Sequence, residues 1–149
     1  MRKLIISGII FIYIGFLLGD FIFSNENKLL NKLSPSENFY FLQEGIYGDK
    51  DMLNNNLSKL NLKTIDKVDN KYYVYVGITK DIELAKRIKD IYKEEGINVY
   101  LKEKKLSSKE FSTNLSQFDL LLSKTKDKDE ILTIEEVVLA NYEEIVKKE

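Results

Sequence analysis

Three β-prone stretches of this 149-residue chain would place four aromatic rings and two amides on one side of a sheet. If Leu42, Val74, Val76, Ile97, Val99 and Leu101 turn toward a helical layer, strand alternation sends Phe41, Gln43, Tyr73, Tyr75, Asn98 and Tyr100 to the opposite, open face. Aromatic rings stack on the apolar faces of sugars, and amides exchange hydrogen bonds with hydroxyl and N-acetyl groups. The expected chemistry is non-covalent binding of a glycan strand. The same residue types also suit a half-buried pleated surface, where a covering segment would turn them into core.

Little else in the chain is equipped for chemistry. It holds no Cys and no His, which excludes thiol nucleophiles, Cys/His zinc sites and imidazole bases. Glu44 beside Gly45 is a lone carboxylate at a strand end, whereas glycoside hydrolysis needs two carboxyls facing across a cleft. No phosphate loop, nucleophile motif or metal-ligand spacing occurs. The expectation is a non-enzyme with no catalytic residue, no metal and no cofactor. Charged residues make up 32% but balance to a formal charge of −1, so no basic face for nucleic acid is expected. Without Cys the domain must fold without disulfides, and redox chemistry does not reveal its compartment.

The elements that must position these residues come in two similar units. Phe39 to Glu44 is apolar and aromatic enough for a strand, with Gly45 and Gly48 expected to break it. Asp49 or Asp51 then caps a helix through Leu60, with Met52, Leu53, Leu57 and Leu60 on one side and Asn61 as a left-handed terminator. Leu62 to Val68 gives a second strand and Asp69-Asn70 a turn. In the second unit, Lys71 to Val76 is a strand ended by Gly77, and Asp81 caps a helix with a stripe of Ile82, Ala85, Ile88, Ile91 and Tyr92. Gly96 stops that helix, and Ile97 to Leu101 forms the fourth strand. The order β-α-β-β-α-β predicts an α+β, ferredoxin-like module with two helices on one sheet face.

Ahead of the module, Arg2 and Lys3 precede an apolar run from Leu4 to Phe23, about 20 residues long, which is one bilayer crossing. Asp20 is its only charge. A cleaved signal peptide is the rival reading, but Phe21 to Glu26 offers no small-residue cleavage pattern. Residues 1–23 are therefore expected to be a cytoplasmic tip and transmembrane helix that contacts the lipid bilayer through residues 4–23. Arg2 and Lys3 favour a cytoplasmic N-terminus and an extracytoplasmic bulk, although Lys28 and Lys32 weaken the bias. Residues 24–37 form a short polar linker containing Pro35, so the module at 38–105 would work close to the membrane.

Phe41-Leu42-Gln43-Glu44-Gly45-Ile46-Tyr47 resembles the "VQVGAF" opening of SPOR domains, the sporulation-related repeat of bacterial cell-wall proteins. Tyr73-Val74-Tyr75-Val76-Gly77 is similar to that family's second-half "YRVxVG", Asp81 to Ala85 to its helix start, and Gly96-Ile97 to the entry of its last strand. The resemblance spans residues 38–104. It implies binding of peptidoglycan glycan strands, with Gln43 the residue carried over by motif position, and a role at the septum or in spore development. Glu44 departs from the family, which has an apolar residue there, and so does Leu53, where the first helix usually has Ala.

Residues 106–149 follow as a helical segment. Ser107 to Ser123 carries Phe111, Leu115, Phe118, Leu121 and Leu122 at helical spacing, and Lys124 to Glu130 is a charged connector. Thr133-Ile134-Glu135-Glu136 resembles a capping box that would open a last helix with Val137, Val138, Tyr142 and Ile145. Such a hairpin packs on the module or on itself, or else docks on other membrane division or sporulation proteins through residues 107–148. The leading expectation is thus a membrane-anchored, peptidoglycan-binding protein. A tethered protein-interaction module that has lost sugar binding is the alternative, and a cytoplasmic small-molecule sensor would need the opposite orientation.

Overall fold

The β-prone runs around Phe41 and Val74 pair with each other at the centre of a four-stranded sheet. The computed structural model describes residues 37–147. The elements run β1 (Glu37–Tyr47), α1 (Lys50–Leu57), β2 (Thr64–Val68), β3 (Lys71–Thr79), α2 (Ile82–Glu94), β4 (Tyr100–Leu106), α3 (Lys109–Lys124) and α4 (Lys128–Ile145). The sheet order is β2-β3-β1-β4 and every neighbouring pair is antiparallel. This α+β arrangement is compatible with the expected ferredoxin-like module. Residues 37–147 belong to one compact unit. The apolar run 4–23 and linker residues 24–36 lie outside the described residues, and among the described residues no helix is long and apolar enough to cross a membrane.

Neither repeated glycine ends its strand. β1 continues through Gly45 to Tyr47, and β3 continues through Gly77 to Thr79. The β1–β3 register shifts between Leu42 and Gln43 and again between Gln43 and Gly45, so the ladder absorbs extra residues as bulges. At Gly45 a Cβ would lie 3.0 Å from the Tyr47 ring, so glycine makes room for that ring. Glu44 accepts the Tyr47 hydroxyl at 2.8 Å.

Several boundaries also move for local reasons. Asp49 caps α1 through Met52 N at 2.7 Å. The helix ends at Leu57 rather than Leu60, because Lys63 Nζ takes the Leu57 and Leu60 carbonyls at 3.3 and 2.8 Å. Asn61 is not left-handed. Among the described non-glycine residues the left-handed positions are Asp69 (φ 49°) and Asn70 (φ 59°), which form the tight β2–β3 turn. Gly96, at φ 77°, stops α2 as expected. Ile97 N then bonds back to Tyr92 O at 2.9 Å, which holds Ile97–Val99 out of the sheet and delays β4 to Tyr100. The charged run Lys102-Glu103-Lys104-Lys105 lies inside this edge strand, where lysines discourage pairing with further chains.

The last helix begins five residues before the expected capping box. Asp127 caps α4 through Glu130 N at 2.9 Å. Thr133 lies inside the helix and bonds back to Asp129 O at 2.8 Å. Phe111 packs on Tyr142 with ring centroids 5.6 Å apart, and Asn114 bonds to Asn141 at 3.3 Å, so α3 and α4 form an antiparallel hairpin.

Candidate functional site

Residues directly opposite in an antiparallel ladder share a face. Tyr100, Gln43, Tyr75 and Thr64 are one such row across β4, β1, β3 and β2, and Ile46, Tyr73 and Asp66 are the next. Phe39 and Phe41 alternate onto the same side. This is the face expected to be open. The α3–α4 hairpin occupies it instead: Phe39 meets Phe111 at 5.8 Å, and Phe41 lies between Tyr75 at 5.0 Å and Tyr142 at 5.4 Å. Phe41 is 0%, Tyr75 1% and Gln43 6% exposed.

The expectation that Phe41, Gln43 and Tyr75 lie on an open face is therefore corrected. The physical reason is the apolar stripe of the hairpin, with Phe111, Leu115, Phe118, Leu122, Val138 and Tyr142 all buried; it found its partner surface in its own sheet. Asn98 and Tyr100 are exposed and Tyr73 is half-buried, so only these three of the six keep contact with solvent.

A polar seam fixes the hairpin at the β2 side. Tyr142 donates its hydroxyl to Asp66 at 2.8 Å, and burial together with that carboxylate pushes the phenol well above its ordinary range. Lys104 reaches over the Phe41 and Tyr75 rings, at 4.6 and 4.2 Å from their centroids, toward Asp66 at 3.6 Å. Burial lowers its ammonium pKa, against the pull of Asp66. Lys147 Nζ donates to Ile65 O at 2.6 Å, and Thr64 donates to Glu143 at 2.6 Å.

Past that seam, part of the same face stays uncovered. Ile46 and Val68 are about half exposed, at 49% and 50%, and Tyr100 is 58% exposed. With half-buried Tyr73 they form an apolar strip at the end of β1 farthest from Glu37, since Ile46 pairs with Tyr73, and Val68 pairs with Lys71 two residues along β3.

A second cluster lies at the opposite end of β3. β2 pairs with β3 only up to Tyr75, leaving Gly77 to Thr79 without a strand on that side. The hairpin takes the place of β2. Ile78 N donates to Glu135 Oε2 at 2.9 Å, Thr79 donates its hydroxyl to Asp119 Oδ1 at 2.6 Å, and Lys80 N donates to Asp119 Oδ2 at 2.8 Å. Glu135 is completely buried and its Oε1 has no hydrogen-bond partner. Burial raises the Glu135 carboxyl well above the usual carboxylate range, and burial pushes Asp119 up to about 6 against its bonds to Thr79 and Lys80. Lys80 Nζ is held by Glu37 at 2.5 Å and by Ser112 at 2.9 Å. The Lys80 and Ser112 bonds keep the Glu37 carboxyl below its ordinary pKa. Tyr40, Lys80, Asp81, Ile82, Ser116 and Asp119 line a surface cavity of about 480 Å³.

Sequence reading missed Asp119 and Lys80 and gave Glu135 to a helix cap. A signal for Glu135 was present: it falls on the stripe Ile131, Ile134, Val138, Leu139 and Tyr142, where a carboxyl is out of pattern. Among the described residues no group of three or more His, Cys, Asp or Glu is placed to hold a metal ion. Set against family models, curated proteins and solved structures, the chain has no match in any of the three comparisons.

Proposed function

We propose that this chain is a non-catalytic, membrane-tethered interaction module of SPOR-like fold that has lost glycan binding through its sheet face. The observation that carries this reading is the burial of Phe41, Gln43 and Tyr75 beneath the α3–α4 hairpin. A sugar chain has no access to rings that are themselves core. The hairpin's apolar side is already used on the sheet, so docking through residues 107–148 is a weaker expectation than contact through the strip of Ile46, Val68, Tyr73 and Tyr100. A partner protein with a complementary apolar surface fits such a strip.

Sacculus co-sedimentation tests this reading. The full chain in detergent is expected to stay in the supernatant with both intact and amidase-stripped sacculi. Sedimentation would overturn the loss of glycan binding. One observation favours a reduced glycan reading: Tyr73 and Tyr100 remain accessible on one face and Asn98 remains exposed. If the protein sediments and Tyr100→Ala with Tyr73→Ala releases it, the strip itself binds sugar.

A further inference from the structure

The hairpin carries two carboxyls that no surface role explains, one on each helix. Asp119 of α3 and Glu135 of α4 both reach β3 where β2 has ended, within three consecutive residues, Ile78 to Lys80. They hold the hairpin by accepting backbone amides, and Glu135 does so with one oxygen while the other faces no donor.

The surroundings do not favour a pair of negative charges. From α2, Tyr92 faces Glu135, and its own hydroxyl is committed to Val76 O at 3.1 Å. Asp119 opposes the ionisation of Glu135, and Asp81 at the head of α2 opposes that of Asp119. Lys80 is the cation next to Asp119, but its Nζ is drawn off to Glu37, Ser112 and Ser116. Among the described residues neither carboxyl has an ion-pair partner. A protonated carboxyl still accepts an amide through its carbonyl oxygen, whereas an ionised one at Glu135 is a buried charge with only one oxygen hydrogen-bonded.

We propose that Asp119 and Glu135 act as a proton-controlled clasp: protonated, they hold the α3–α4 hairpin on β3, and ionisation of the two loosens it and uncovers Phe39, Phe41 and Tyr75. The clasp concerns how firmly the hairpin stays in place, so it stands whatever ligand the exposed strip takes.

The sign follows from linkage. A carboxyl raised in the folded state keeps its proton where the opened state has lost it. Its contribution to docking is therefore complete below the ordinary carboxylate range and disappears as pH rises through the raised value. For Asp119, moving from 3.8 to about 6, protection of the hairpin should fall about tenfold between pH 5 and pH 7. Glu135 adds a loss of its own that begins at the ordinary carboxylate range and runs on to higher pH.

Hydrogen exchange by mass spectrometry on the full chain in detergent, from pH 5 to pH 8 and corrected for the chemical exchange rate, reads this directly. The expected result is that α3 and α4 peptides open at a lower free energy than β1 and α2 peptides, and that their protection falls with pH, with the fall abolished in Asp119→Asn, Glu135→Gln. Should the double variant not fold, Asp119→Asn alone must reduce the loss between pH 5 and pH 7 by its share of about tenfold. A hairpin whose protection does not change with pH would overturn the proposal. So would α3 and α4 opening only together with β1 and α2, or a loss that persists in the amide variants.

Discussion

Gly77→Ala should be the most damaging one-carbon change in the domain. Gly77 sits in β3 with ordinary backbone freedom to spare, so conformation is not its reason. A Cβ there would lie 3.0 Å from Glu135 Oε2 and 3.2 Å from Leu42 Cδ1. Leu42 and Glu135 are both 0% exposed, so neither has room to retreat. Overpacking of this kind costs about 1–3 kcal/mol. If the carboxyl is pushed off Ile78 N, a buried amide is left unsatisfied for about 1–3 kcal/mol more. The combined loss, about 2–6 kcal/mol, is a large part of the stability of a domain this size. Urea unfolding followed by circular dichroism measures it, with Gly48→Ala as control because nothing lies within 4 Å of a Cβ at that position. Gly48→Ala is expected to stay within about 0.5 kcal/mol of the parent. A Gly77→Ala variant as stable as the control would refute the close seating of α4 against β3.

Other perturbations separate the parts of the account. Tyr142→Ala removes a ring that touches both Phe41 and Phe111 and should cost about 3–5 kcal/mol, whereas Tyr142→Phe loses only the bond to Asp66 and should cost about 1 kcal/mol, both by urea unfolding. Truncation after Leu106 strips the cover from Phe39, Phe41 and Tyr75 and should leave a module that melts at a clearly lower temperature; an unchanged melting temperature would show the hairpin to be an appendage. Global stability should decline as pH rises from 4 to 6, by about 2 kcal/mol from Asp119 alone, because its folded carboxyl retains a proton that the unfolded chain releases near 3.8. Asp119→Asn should flatten that decline.

The sequence made the topology legible because each unit has local punctuation. Asp81 caps α2 through Glu83 N and Leu84 N, Gly96 turns left-handed after it, and Asp69-Asn70 makes the β2–β3 turn, all from nearest-neighbour chemistry. Alternation placed Phe41, Gln43, Tyr73, Tyr75 and Tyr100 on one face as well. What alternation does not contain is the layer above. Phe41 becomes core because Tyr142, about a hundred residues later, lies on it, and no local pattern distinguishes a ring meant for a sugar from a ring meant for a helix. The glycines misled for a related reason: Gly45 and Gly77 serve neighbours, Tyr47 and Glu135, rather than turns. Glu135 escaped because Thr133-Ile134-Glu135-Glu136 imitates a cap, while the true cap, Asp127 with Glu130, stands inside a run that reads as connector.

The central claim is that the aromatic sheet face lies inside the protein. The chain contains no cysteine, so single-cysteine variants report accessibility without background. Gln43→Cys and Tyr100→Cys share one ladder row, yet their parent residues are 6% and 58% exposed. With thiol-labelling rates compared at one pH, the account predicts that Gln43→Cys reacts at least a hundredfold more slowly than Tyr100→Cys, and that denaturant removes the difference, a gap of about 2.7 kcal/mol in opening free energy. Comparable rates in the folded protein would mean that the face is open, and would contradict both the buried core and the function proposed from it.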